Sequence, residues 1–221
     1  MKGRPRTKER DERVKEIMAA AKVAFFKKGY FNSTIEDIAQ RAGISKGTVY
    51  LYFKNKDELY ASLMLPLVDE FTELLIEFEK GVSREEYKSG AEIIMKFYET
   101  FTRIYHYDPD SLRVFQVYHL LDLSDVLGES VRKKHRSIAK RNGAIAVKIY
   151  SDAINQGLLL QNDPVQVVSA LWALFLGVVQ VQGSYLRVTG KDHVLDTLKF
   201  GFSSFAKVLS RTPEKSEGEA A

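Results

Sequence analysis

Lys46, Thr48, Tyr50 and Tyr52 crowd an ammonium, a hydroxyl and two phenols into one short stretch of a 221-residue chain. Ammonium and hydroxyl groups meet phosphate oxygens and base edges, and phenol rings can lie against thymine methyls, so these residue types suit the major groove of a DNA duplex. A second basic group stands near the N-terminus, where Lys2-Gly3-Arg4-Pro5-Arg6 looks like the core of a minor-groove AT-hook. Such an arm, with Arg4 and Arg6 as its contacts, threads a narrow electronegative A·T groove and releases counterions. A plain solvated tail has the same composition. Other chemistry finds less support. Gly43-Ile44-Ser45-Lys46-Gly47 matches the nucleophile-elbow pattern, but that elbow follows a strand and a helix is expected here. The four histidines, His106, His119, His135 and His193, show no i, i+4 pairing and no consistent carboxylate partner, and there is no cysteine. No catalytic set, metal or cofactor is therefore expected, and the chain is read as a protein other than an enzyme.

Helices must position these groups, because the periodicity is helical nearly everywhere and no stretch reads as a strand. Val14, Ile17, Met18, Ala21 and Phe25 predict a first helix over about 8–28, stopped by Gly29. Ser33 or Thr34, with Glu36 or Asp37 in the capping-box position, opens a short second helix that ends at Ala42-Gly43. Ser45 caps a third to about Tyr52, and Asn55 to Glu58 opens a fourth. The two helices around Ala42-Gly43-Ile44-Ser45 have helix-turn-helix spacing, in which Ile38, Ala39, Ile44 and Val49 pack inward and Lys46, Thr48, Tyr50 and Tyr52 are presented. Generic helical hairpins give similar spacing.

Later helices are longer. The fourth runs toward Gly81 with Pro66 inside its pattern, where the missing donor and the ring predict a kink near Ser62. Ser83 with Glu86 is expected to open the next, which Asp108-Pro109 ends. A shorter helix follows to about Leu121, then a long one over about 124–156. Asp163-Pro164 starts a very apolar helix to about Val188, and a last helix covers about 192–210. The class is all-α with about nine helices, divided into residues 1–55, 56–210 and a flexible tail at 211–221.

Charge follows the same division. Residues 1–56 hold 14 Lys+Arg and 6 Asp+Glu, a net +8, whereas the rest carries 19 and 23, a net −4. A basic head on a mildly acidic body suggests that the head meets a polyanion. The longest uninterrupted apolar run, Ala170 to Val179, falls short of the ~18 residues of a membrane span, so no membrane helix is expected and the cytoplasm is the expected compartment. The basic run Arg132 to Arg136, with Lys140 and Arg141, reads as a solvated face or as a clamp for a phosphate-bearing effector such as an acyl-CoA.

Gly29 to Tyr60, GYFNSTIEDIAQRAGISKGTVYLYFKNKDELY, resembles the DNA-binding signature of the tetracycline-repressor (TetR) family. The resemblance covers roughly residues 10–64. It implies a dimeric repressor with a divergent C-terminal ligand domain, here expected to hold a palindromic operator and to bind a small apolar or amphipathic effector; the apolar run Ala170–Val179, too apolar for a solvated face, puts the expected dimer contact on the last two helices. By carry-over, Thr34, Lys46, Gly47, Thr48, Tyr50, Tyr52 and Lys56 occupy positions that face DNA in that family. Tyr52 is often a histidine there. The aromatic series Phe97, Tyr98, Phe101, Tyr105, Phe115, Tyr118, His119 and Trp172 lies on helices that enclose the family's ligand cavity, so some of it is expected to line one. The alternative is a DNA-organising protein without an effector.

Overall fold

A computed structural model describes residues 5–120 and 129–211. Among these the chain forms ten α-helices: α1 (Pro5–Asn32), α2 (Ile35–Ala42), α3 (Lys46–Tyr50), α4 (Lys56–Ser62), α5 (Leu65–Ser83), α6 (Gly90–Tyr107), α7 (Pro109–Leu120), α8 (Glu129–Asn155), α9 (Pro164–Thr189) and α10 (Val194–Leu209). The all-α class holds. One helix more than expected appears because the predicted fourth helix is two: Leu63 and Met64 form a tight turn whose amides bond back to Tyr60 and Ala61, and Pro66 stands second in α5. A proline there has no N–H to offer the Ser62 carbonyl, and its ring crowds that carbonyl, so the break falls one turn upstream as expected.

Two compact units result: residues 1–69 with 107–138, and residues 70–106 with 139–221. The boundary expected from charge falls after residue 55; compactness instead groups α4, α7 and the start of α8 with the head. In the first unit Ile17, Ala21, Ile38, Val49 and Leu59 are almost wholly buried where α1 to α4 meet. Gly29, at φ 76 and ψ 165, kinks the end of α1, and Ser33 turns its hydroxyl back onto the carbonyls of Ala24 and Gly29. Helix α1 also begins at Pro5, earlier than expected, so that Arg6 lies in its first turn. Lys22 on α1 donates to both oxygens of Asp108, at 2.6 and 2.7 Å, and Asp108 in turn caps α7 by accepting from the Ser111 amide.

Aromatic rings fill the second unit. Phe71, Phe97, Phe101, Trp172, Phe175 and Phe202 contact one another through centroid separations of 4.9–6.4 Å. Helix α6 starts at Gly90, with Ser89 and Glu92 as its cap, and not at the predicted Ser83–Glu86. The reason lies in the α5–α6 connection, which folds back through Glu85 in the left-handed region, φ 56, and sets Glu86 and Tyr87 against Gly81. Gly81 thus admits a close neighbour without ending α5. At Gly90 a methyl group would lie 2.3 Å from the Leu158 carbonyl oxygen. Beside it a short antiparallel bridge joins Leu159 to Ser210, closed by Leu160 N–H to Leu209 O at 2.8 Å and Arg211 N–H to Leu158 O at 3.1 Å.

Helix α9 is longer in its apolar character than the uninterrupted run suggests. Residues Pro164–Leu186 have a mean hydropathy of 1.8 and are long and apolar enough to cross a membrane, while only 17% of that stretch is buried. Counting uninterrupted apolar residues misses it because Gln166, Ser169, Gln180 and Gln182 break the run without adding charge. Its open face continues onto α10: Val181, Tyr185 and Val188 of α9 and Phe200 and Val208 of α10 are all more than half exposed. The expected start of the long eighth helix near Ser124 lies outside the described residues.

Candidate nucleic-acid face and the cavity at the α4–α5 break

Local caps set the helix-turn-helix. Thr34 Oγ1 accepts from the Asp37 amide at 3.1 Å and Asp37 Oδ2 accepts from the Thr34 amide at 2.9 Å, a complete capping box. The Asp37 carboxyl is held down to about 2, first by the hydrogen bond from Lys28 and then by the Thr34 N–H and hydroxyl. Gly43, at φ 67 and ψ 30, closes α2 in the left-handed conformation, and its amide and that of Ile44 return to the carbonyls of Gln40 and Ala39. Ser45 then caps α3 by accepting from the Thr48 amide at 3.1 Å, and its hydroxyl shares a hydrogen bond with that of Thr48 at 2.8 Å.

With Val49 fully buried, a turn of roughly 100° per residue fixes the rest of α3. Gly47 and Leu51 fall opposite Val49, with Thr48 and Tyr50 on either side. Tyr50 is 47% exposed and Leu51 78%. Lys46 is exposed, 3.4 Å from Glu36, and Tyr52 lies half-buried beneath the Arg10 guanidinium at 5.8 Å. The structure thus leaves Lys46, Gly47 and Tyr50 exposed and Thr48 half-exposed around the part of α3 not buried by Val49. Leu51 joins them there; sequence reasoning misses it because a leucine after an amphipathic pattern reads as core.

Lys56 departs from the role carried over to it. Its ammonium donates to the carbonyls of Tyr30 at 2.9 Å and Ser33 at 3.2 Å, and lies 4.4 Å from the centre of the Tyr30 ring. The charge closes the end of α1 instead of standing open to a phosphate. Next to it the Tyr30 hydroxyl donates to Asp57, and burial, with Asp57 adding to it, pushes the phenol well above its ordinary range. Arg4 lies outside the described residues, as do the side chains of Arg6, Tyr118 and His119.

Six of the eight predicted effector aromatics have described side chains, and these are buried or half-buried. Phe97 and Phe101 are nearly fully buried, Trp172 stacks on Phe71, Tyr98 lies 6.0 Å from Phe202, and Tyr105, half-buried, meets His106. Phe115, in the other unit, is buried 6.3 Å from the His135 ring. None of these six lines the described cavities; Phe97, Phe101 and Trp172 instead pack into one aromatic cluster. A cavity of about 190 Å³ lies at the α4–α5 break, lined by Glu58, Ala61, Ser62, Met64, Leu65 and Val68, and by Lys134, His135 and Ile138 of α8. Burial holds the His135 imidazole below its ordinary range. Nothing in the sequence pairs Glu58 with His135. The basic run of α8 is largely a solvated face, with Lys133 paired to Glu129 at 2.8 Å. Among the described residues no group of three or more His, Asp or Glu is placed to hold a metal ion.

A capped helix-turn-helix with an outward polar face, carried on an all-helical chain, is the architecture of a helix-turn-helix regulator. Residues 17–63 match the family model described as bacterial regulatory proteins, tetR family. The chain is 35% identical over 81 residues to a fatty acid metabolism regulator protein of Bacillus subtilis (strain 168), covering 36% of this chain and 42% of that one. It is 27% identical over 175 residues to the uncharacterised HTH-type regulator YhgD of the same organism, covering 76% and 83%. Matches to the first two curated relatives thus span less than half of either relative's length. The fold is also that of PfmR, a TetR family regulator from Thermus thermophilus, with a TM-score of 0.68 at 19% identity over 88% of this chain and 99% of that one. Residues 17–63 thus carry the DNA-binding region of the TetR family, and the relatives that the chain matches are transcriptional regulators.

Proposed function

We propose that this protein is a homodimeric transcriptional repressor that holds a palindromic operator through two heads and releases it when a small apolar or amphipathic effector binds. One observation carries the reading: the buried Val49 turns Lys46, Gly47, Thr48 and Tyr50 outward on a head of net charge +8. Thr34, Tyr52 and the arm residues Arg4 and Arg6 complete the proposed contact set, while Lys56 positions the end of α1. Residues 1–55 are the DNA-contacting part and 56–210 carry effector binding and dimerisation.

The open apolar face of α9 and α10 supports the dimer. A methyl group at Gly177 or Gly183 would meet nothing within 4 Å, so the small residues there leave room for a second copy to approach. Gly201, by contrast, is used within the chain, against Leu174. An isologous contact of two helices from each copy would cover Val181, Tyr185 and Phe200. For the effector, the name of the fatty acid metabolism regulator of B. subtilis favours an acyl compound, an acyl-CoA among them. The α4–α5 cavity, at about 190 Å³, is smaller than the ~300–1,000 Å³ of typical ligand pockets, so an acyl chain has to open it. Opening there acts on both sides of the Leu63–Met64 break.

The test is selection of duplexes from a random library with the full chain, followed by titration of the enriched duplex with acyl-CoAs of graded length. Enrichment of a palindrome, and its release by one length class, is the expected result. Failure to enrich any sequence refutes the repressor reading; enrichment without release by any acyl-CoA refutes the acyl effector.

A further inference from the structure

We infer that Leu51 is a base-reading residue, which recognises the C5-methyl group of a thymine at a fixed position in each operator half-site. The inference rests on the proposed DNA-binding role of α3 and names a contact within it. An exposed leucine is ordinary on a protein surface. Its position here is not. Leu51 continues α3 in helical conformation, at φ −70 and ψ −21, and falls opposite the fully buried Val49, on the outermost ridge of the helix. It shares that ridge only with Gly47, where an added methyl would meet nothing nearer than Ser45 Oγ at 3.7 Å. The glycine lets the backbone approach closely, so the 78%-exposed leucine is the one apolar group that projects from the ridge. Lys46, Thr48 and Tyr50 around it can all be satisfied by phosphates, waters or base-edge acceptors. An isobutyl group can use none of these. In the major groove the thymine methyl is the apolar feature of the base edges, and apolar side chains read it by contact.

The test uses the duplex enriched from a random library with the full chain. Each thymine is replaced in turn, in both half-sites, by deoxyuridine, which deletes only the methyl, and affinity is measured by fluorescence anisotropy at fixed salt. The parent protein should lose about fourfold per half-site at one thymine position, the value of one buried methyl. Leu51→Ala, a change at an exposed site that leaves the core intact, should bind the thymine and uracil duplexes equally at that position. Leu51→Met should keep the discrimination. If no deoxyuridine substitution weakens the parent, or if the same penalty persists in Leu51→Ala, Leu51 does not read a methyl, and in the second case the contact belongs to a neighbour such as Tyr50. If no duplex is enriched, the DNA-binding reading fails and this inference fails with it.

Discussion

Lys56 shows how a charge can hold a helix end together within the proposed DNA-binding head. Its ammonium satisfies two carbonyls left open at the kinked end of α1 and lies over the Tyr30 ring, so Lys56→Met should cost the protein ~1–3 kcal/mol. Urea unfolding measures this; stability equal to the parent would return Lys56 to a role on the phosphates alone. Asp37 gives a pH signature at the same scale. Its folded-state carboxyl is depressed to about 2, against ~3.9 in an unfolded chain, so its contribution is present above about pH 4 and is lost as pH falls toward 2. Asp37→Asn should therefore flatten the acid limb of the stability profile in that window, as followed by circular dichroism.

Among the elements, the break between α4 and α5 has the clearest functional weight. Pro66→Ala restores a donor to the Ser62 carbonyl and should fuse the two helices through Leu63 and Met64. If effector acts through that break, the variant should change the ratio of operator affinities with and without effector, within the ~1–3 kcal/mol typical of allosteric coupling, while leaving effector affinity for the free protein nearly intact. An unchanged ratio would make Pro66 only a tolerated irregularity. The break could be read from the sequence because proline acts on its own helix. So could the caps at Thr34, Ser45, Asn55 and Asp163, each of which bonds within three residues. The start of α6 could not, because what decides it is the return of Glu86 and Tyr87 over Gly81, a contact between segments. The same limit governs the site: the outward face of α3 followed from its period, whereas the burial of the Lys56 charge and the His135–Glu58 cavity depend on which helices meet.

At the scale of the whole molecule, α9 and α10 present an exposed apolar face. Phe200→Glu places a carboxylate in the centre of that face, where Phe200 is 75% exposed in the single chain, so it should leave the fold intact and turn a dimer into a monomer in sedimentation velocity. A parent protein that is already monomeric at micromolar concentration would overturn the dimer. If the parent is monomeric and floats with lipid vesicles, the face is a membrane contact. The same variant bears on DNA: two heads held about one duplex turn apart, ~34–36 Å, bind a palindrome together, and a monomeric Phe200→Glu should lose most of its preference for a full site over a half-site.

The bridge between Leu159 and Ser210 joins the two ends of the segment that contains α9 and α10. A hairpin of two long helices would ordinarily fray from its open end, each helix on its own schedule. Here the hydrogen bonds of Leu160 and Arg211 close the base of the hairpin, and Gly90 packs directly against the closure. The two helices should consequently open as one cooperative unit. Amides along α9 and α10 should exchange with solvent deuterium through a common opening event, and Gly90→Ala, which forces the closure apart, should accelerate both sets together.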